Sequence, residues 1–261
     1  MADGDTTSAR LPNGITREVL EADAIRAIFR ERHPDVPLVP DAELRDSLDH
    51  VLGLRPDGRA YHDPVWVFGY GSLLWNPCVE VADREQAQLR GYHRDFRLRL
   101  TYGRGSLESP GLMLGLAPGG SSVGVALQVA GSDPVHELHL VWRRELLTGV
   151  YQPRWVRLRA DGRVLHGVAF VNNPDHPCHC GRIDDDSIIE YLATGHGLLG
   201  SCVEYLDNTV RALDARGIHD RRLHRLQARL HERRRPRGGS EDAASTADTA
   251  AVRGGPEKES A

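Results

Sequence analysis

The sequence predicts an α+β protein built on a mixed sheet or barrel with flanking helices. Three observations lead there. Val65-Trp66-Val67-Phe68 is a continuous apolar run, as in a strand buried on both faces. Strand-like stretches recur at 94–101, 111–116, 123–129, 154–160 and 164–171. Helical periodicity at 134–148, 185–194, 201–216 and 219–233 interrupts them irregularly, which a regular βαβ series would not do.

Taken in order, residues 1–13 are polar and read as disordered. From Ile15 to Arg32, Val19, Ala22, Ile25, Ile28 and Phe29 fall at helical spacing, predicting one amphipathic helix. Pro34, Pro37 and Pro40 force the next stretch to be extended or turned. A second helix fits Leu44–Leu52, and Gly, Pro and Asp punctuate 55–64. Beyond Arg234 periodicity is lost. The expected organisation is an N-terminal helical extension over 1–60, a main domain over 61–234 and a disordered tail over 235–261.

Composition excludes several classes. Hydrophobic residues make up 40% of the 261 positions and charged residues 27%, enough for a real core. A net charge of −4 gives no support for a nucleic-acid or polybasic membrane binder. No apolar run reaches the roughly 18 residues of a membrane span. The N-terminus lacks a signal pattern, so a cytoplasmic protein with reduced Cys78, Cys178, Cys180 and Cys202 is expected. Lysine occurs once, at Lys258, so all but one of the 33 basic residues are arginine. A lysine Schiff base and a Walker P-loop are thereby ruled out.

Two features carry chemistry. Gly69-Tyr70-Gly71-Ser72 follows the apolar strand, and such a turn can aim several N–H groups at one anionic group. Pattern alone fits a tight structural turn equally well. The second is Glu145. Asp133-Pro134 is a helix start, and Val135, Leu138, Val141 and Trp142 form an apolar stripe that Glu145 continues, with Glu137, Arg143 and Arg144 on other faces. A carboxylate there is costly unless paired, and desolvation would raise its pKa toward a proton-shuttling range. The alternative is a structural salt bridge to an arginine such as Arg104 or Arg154.

Two further motifs read as structure. Gly195-His196-Gly197-Leu198-Leu199-Gly200 matches GxGxxG but follows a helix, whereas dinucleotide binding needs a preceding strand. His176-Pro177-Cys178-His179-Cys180 has spacing poorly suited to one tetrahedral ion, so no metal is expected.

VFGYGSLLWNP (67–77), RGYHRDFRLRLTYGRGSLESPG (90–111), VGVALQV (123–129), RRELLTGVY (143–151) and EYLDNT (204–209) together resemble the ChaC-type gamma-glutamylcyclotransferases. The likeness runs from about Val65 to about Leu230. It implies a small closed mixed β-barrel and cleavage of glutathione to 5-oxoproline and Cys-Gly without a cofactor. It implies that Tyr70, Gly71, Ser72 and Leu73 hold the gamma-glutamyl group, that Glu145 is the acid/base, and that Arg104 and Tyr205 line the site. Two positions depart from the family pattern: His179, where many members have tyrosine, and Cys202, near a common asparagine. Both would alter polar groups at the substrate. Two other readings stay open, a cyclotransferase for other gamma-glutamyl amides and a non-catalytic gamma-glutamyl-peptide sensor. The partner is a small molecule in each case, and nothing in the sequence sets an oligomeric state.

Overall fold

The computed structural model describes residues 14–235. The expected disorder over 1–13, and over the tail beyond Arg235, lies outside the described residues. Three helices come first: α1 (Arg17–Glu21), α2 (Ala24–Arg32) and α3 (Asp41–Gly53). There follow β1 (Val65–Gly69), β2 (Val81–Leu100), β3 (Gly111–Val129), α4 (Pro134–Glu145), β4 (Tyr151–Ala160) and β5 (Arg163–Asn172). The chain ends with α5 (Asp185–Thr194), β6 (His196–Gly197), β7 (Gly200–Ser201), α6 (Cys202–Asp214) and α7 (Arg221–Arg234). No helix among the described residues is long and apolar enough to cross a membrane.

Five strands close into a barrel in the order β1-β3-β2-β4-β5. β1 runs antiparallel to β3 and parallel to β5, which makes the barrel mixed. Alternation along β1 explains why both of its faces are apolar. Trp66 and Phe68 join Leu89, Leu116, Leu158 and Ala169 in a core made of strand residues, the barrel interior. Val65 and Val67 face the other way, onto Leu138, Trp142, Leu206 and Leu226 of the helices.

The sequence divided what is one long hairpin. β2 and β3 run 20 and 19 residues, paired with register breaks between Val81/Asp83, Arg90/Tyr92 and Phe96/Leu98. The first half of β2 is largely exposed and polar, so it has no apolar alternation to read. Gly119 and Gly120 sit at the second irregularity, where they and Gly91 all have positive φ.

The N-terminal helix also differs from expectation. It breaks into α1 and α2 at Ala22–Asp23, where Asp23 takes φ 48°. The cause is tertiary: Arg143 Nη1 donates to the carbonyls of Leu20 (2.8 Å) and Glu21 (3.1 Å), drawing the last turn of α1 onto α4. Helix α4 starts as read, with Asp133 capping Val135 N–H and His136 N–H, but ends at Glu145 rather than at 148. Its other faces are covered as well. Glu137 and Arg143 are both buried, Glu137 by Arg17 and the Glu80 N–H, Arg143 by α1 and Asp41.

One buried guanidinium joins the barrel to the last helix. Arg94 donates to the carbonyls of Tyr70 (2.7 Å) and Val123 (2.7 Å) and to Asp220 (2.5 Å), the N-cap of α7. Arg94→Leu leaves two buried carbonyls and one cap without this donor. We expect a loss of about 3 kcal/mol in unfolding free energy, read as a lower urea midpoint.

Candidate active site

Several segments of the chain meet at a cavity of about 150 Å³. Ser72, Trp75 and Asn76 reach it from the turn after β1, Tyr102 and Arg104 from the β2–β3 loop, Arg144 and Glu145 from the end of α4, and Tyr151 from the start of β4.

The turn is held from below. The Tyr70 hydroxyl donates to the Phe170 carbonyl (2.7 Å) inside the barrel. Ser72–Leu74 form a single 3-10 turn, in which the Gly71 carbonyl accepts from Leu74 N–H (3.0 Å), and just beyond it Asn76 N–H donates to the Ser72 carbonyl (2.9 Å). Gly71 is required by close approach: a Cβ there would lie 2.8 Å from the Tyr205 hydroxyl. The Ser72 hydroxyl bonds to no described residue and faces the cavity.

Glu145 Oε1 accepts from Arg144 Nε at 2.9 Å, and the carboxylate is 12% exposed. Arg144 Nη1 also donates to the Asn76 carbonyl, so the same guanidinium ties the carboxylate to the turn. Burial pushes the Glu145 pKa up from the ordinary carboxylate value, and Arg144 opposes this without cancelling it. Tyr70, Tyr151 and Tyr205 surround it electrostatically, and burial pushes each phenol's pKa up, so all three are neutral donors at pH 7. The Tyr151 hydroxyl is anchored on the Leu114 carbonyl at 2.7 Å.

Arg104 lies between two aromatic rings, 5.7 Å from Trp75 and 5.3 Å from Tyr205. It donates to the Ser201 carbonyl (3.2 Å), and the Glu204 carboxylate acts on it electrostatically. Burial lowers its pKa from the ordinary guanidinium value, yet an arginine stays charged. A mostly buried cation on a cavity wall is suited to a ligand carboxylate.

Of the residues expected at the site, Ser72, Arg104 and Glu145 line the cavity. Tyr205 and Gly71 lie behind it, in contact with each other, while Tyr70 and Leu73 are buried in the cores. The pairing alternative for Glu145 is answered by its neighbour: its partner is Arg144, whereas Arg154 bonds Gln152. Reading the chain left out Tyr151, Trp75, Asn76 and Arg144. Each lies within a motif already quoted, but the sequence assigns none of them a direction.

The two departures, His179 and Cys202, do not line the cavity. Cys202 is buried, with its sulfur 3.4 Å from the Arg104 carbonyl and 3.3 Å from Leu112 N–H, so it supports the Arg104 loop. His179 bridges to Leu98 on the edge of β2. In the same loop His176 faces the Thr148 carbonyl, Cys178 the Tyr102 hydroxyl and Cys180 the Arg97 carbonyl. Gly195 closes α5, and the GxGxxG segment forms the β6–β7 hairpin after a helix. Among the described residues Asp214, His219 and His224 are near enough to share an ion, at the exposed α6–α7 corner. The two rings stack at 4.2 Å and 27°, so their in-plane lone pairs do not converge on one point.

The model for ChaC-like proteins matches residues 65–233. The chain belongs to the ChaC-like family. It is 40% identical over 181 residues to the Escherichia coli K12 protein named glutathione-specific gamma-glutamylcyclotransferase, covering 69% of this chain and 77% of that one. It is 33% identical over 159 residues to human glutathione-specific gamma-glutamylcyclotransferase 1, covering 58% and 70%. The crystal structure of a glutathione-specific gamma-glutamyl cyclotransferase from yeast superposes with a TM-score of 0.60 at 21% identity, covering 66% of this chain and 98% of that one. That last likeness supports the ChaC-like barrel as a fold.

Two outcomes follow from this geometry. Because the folded Glu145 has the higher pKa, the unfolded chain ionises first as pH rises, and the fold loses stability until Glu145 itself ionises. Glu145→Gln should therefore melt above wild type at pH 7, by on the order of a few degrees, with the gap closing below the ordinary carboxylate pKa. Thermal melts across pH check this. Gly71→Ala should destabilise the fold, and Tyr205→Phe, which removes the hydroxyl that the new Cβ meets, should recover part of the loss. A double-mutant cycle in urea reads that coupling.

Proposed function

We propose that this ChaC-like chain is a glutathione-specific gamma-glutamylcyclotransferase that converts glutathione to 5-oxoproline and Cys-Gly. One observation carries the reading. The cavity places a buried carboxylate of raised pKa, Glu145, with the Arg104 guanidinium and a serine hydroxyl, Ser72, that bonds to no described residue. The names of the bacterial and human relatives support the substrate.

The reaction needs no protein nucleophile. The substrate's own α-amine attacks its γ-carbonyl and closes a five-membered ring, so one C–N bond forms and the γ-amide C–N bond breaks. Folding a floppy chain into that near-attack geometry is itself worth several kcal/mol. Glu145 accepts the proton that the amine loses and returns it to the departing amide nitrogen. A carboxylate whose pKa is raised toward neutrality serves both steps. The backbone N–H groups of Gly71 to Leu73 stabilise the tetrahedral oxyanion. Arg104 holds the α-carboxylate, its plane already fixed by Trp75 and Tyr205. Arg144 keeps Glu145 aimed and ionisable. The side chains of Tyr70, Leu73 and Tyr205 act on the turn and on Arg104 rather than on the substrate.

The test is chromatographic detection of 5-oxoproline and Cys-Gly from millimolar glutathione. Wild type should form both products, and Glu145→Gln should be folded but slower by about 10²–10⁴-fold. Ser72→Ala should raise KM with little change in melting temperature. Wild-type-like turnover in Glu145→Gln would overturn the mechanism.

A further inference from the structure

The family match begins at Val65, yet the cavity is completed by residues that precede it. Ile15, Ile25 and Phe29 form part of its wall, beside Leu100 and Val150. Ile25 and Phe29 are buried in a core with Leu98, Leu100, Tyr102, Leu147 and Val150, and the Phe29 ring meets Tyr102 edge-on at 6.2 Å. This wall is fastened to the catalytic elements themselves. The Ile15 carbonyl accepts from Asn76 Nδ2 (2.9 Å), on the turn that carries Ser72. The carbonyls of Leu20 and Glu21 accept from Arg143, two residues before Glu145. Arg17 pairs with buried Glu137 of α4 at 2.5–2.7 Å.

Charge divides the cavity. Among the described residues its charged lining side chains are Arg104, Arg144 and Glu145, all engaged at the γ-glutamyl end under the proposed reaction. The surface left for the other half of the substrate is uncharged and mostly aliphatic or aromatic.

We infer that Ile15, Ile25 and Phe29 are specificity-determining residues: they form the subsite for the amine half of the γ-glutamyl amide and select an uncharged thiol- or alkyl-bearing side chain next to the scissile nitrogen. The inference rests on the cyclotransferase reading. A peptide carboxylate further along must leave this wall for solvent. An apolar side chain on the leaving residue gains the contact, glycine gains nothing, and a charged side chain loses its hydration without a partner.

The experiment compares kcat/KM for glutathione, γ-glutamylglycine and γ-glutamylglutamate in wild type, Phe29→Ala and Ile25→Ala. Wild type should prefer glutathione over γ-glutamylglycine by about tenfold or more. Each truncation should narrow that ratio several-fold, acting through the KM for glutathione and barely moving the γ-glutamylglycine value. Should a truncation fail to fold, Phe29→Leu and the half-buried Ile15→Ala read the same ratio, with thermal melts run alongside. An unchanged ratio in folded variants, or equal wild-type rates on γ-glutamylglutamate and glutathione, overturns the subsite. No product from wild type with any γ-glutamyl amide overturns the reaction itself, and the subsite with it.

Discussion

Arg144 bonds the carboxylate of Glu145 with one nitrogen and the carbonyl of Asn76 with another. That single guanidinium determines how the last turn of α4 meets the turn after β1. Without a cation there, a carboxylate at 12% exposure would simply protonate. With it, Glu145 is kept within reach of ionisation while burial holds its pKa high. The cation is itself buried, and it is tolerated because its nitrogens find a carboxylate and a carbonyl rather than hydrocarbon.

Adjacent arginines then pull in opposite directions. Arg144 reaches forward to the turn, and Arg143 reaches back to the carbonyls of α1 and to Asp41. The end of α4 is therefore a junction between the barrel, the turn and the N-terminal helices. A change in any one of them is felt at Glu145, which explains why a segment outside the family match helps shape the cavity.

Contact and support are separate in this site. Ser72, Arg104 and Glu145 face the cavity, and groups outside it help to fix the segments that carry them. Arg94 holds the Tyr70 carbonyl, Tyr205 packs against Gly71 and stacks on Arg104, and Cys202 supports the Arg104 loop. Such preorganisation is what an intramolecular aminolysis asks of a protein, since the substrate brings its own nucleophile.

Much of this was legible in one dimension. The apolar run Val65–Phe68, the Asp133-Pro134 start of α4 and the apolar stripe that carries Glu145 are local patterns, and local patterns report which face of an element is covered. The apolar strand pointed to the turn that carries Ser72, whereas Arg104 entered through the family resemblance. The first half of β2, the break at Asp23 and the burial of Glu137 were not legible, because each depends on a partner far along the chain: the β3 hairpin, Arg143 and Arg17. The partner of Glu145 was a subtler case. Helical spacing put Arg144 on another face, but a long side chain at the last turn can fold back over its neighbour once the Asn76 carbonyl attracts its other end. Sequence alone thus determined the family, the barrel's elements and the carboxylate. Only the tertiary structure decided which groups touch the cavity and which brace it, because closing a barrel brings together side chains whose separation in sequence carries no periodic signal.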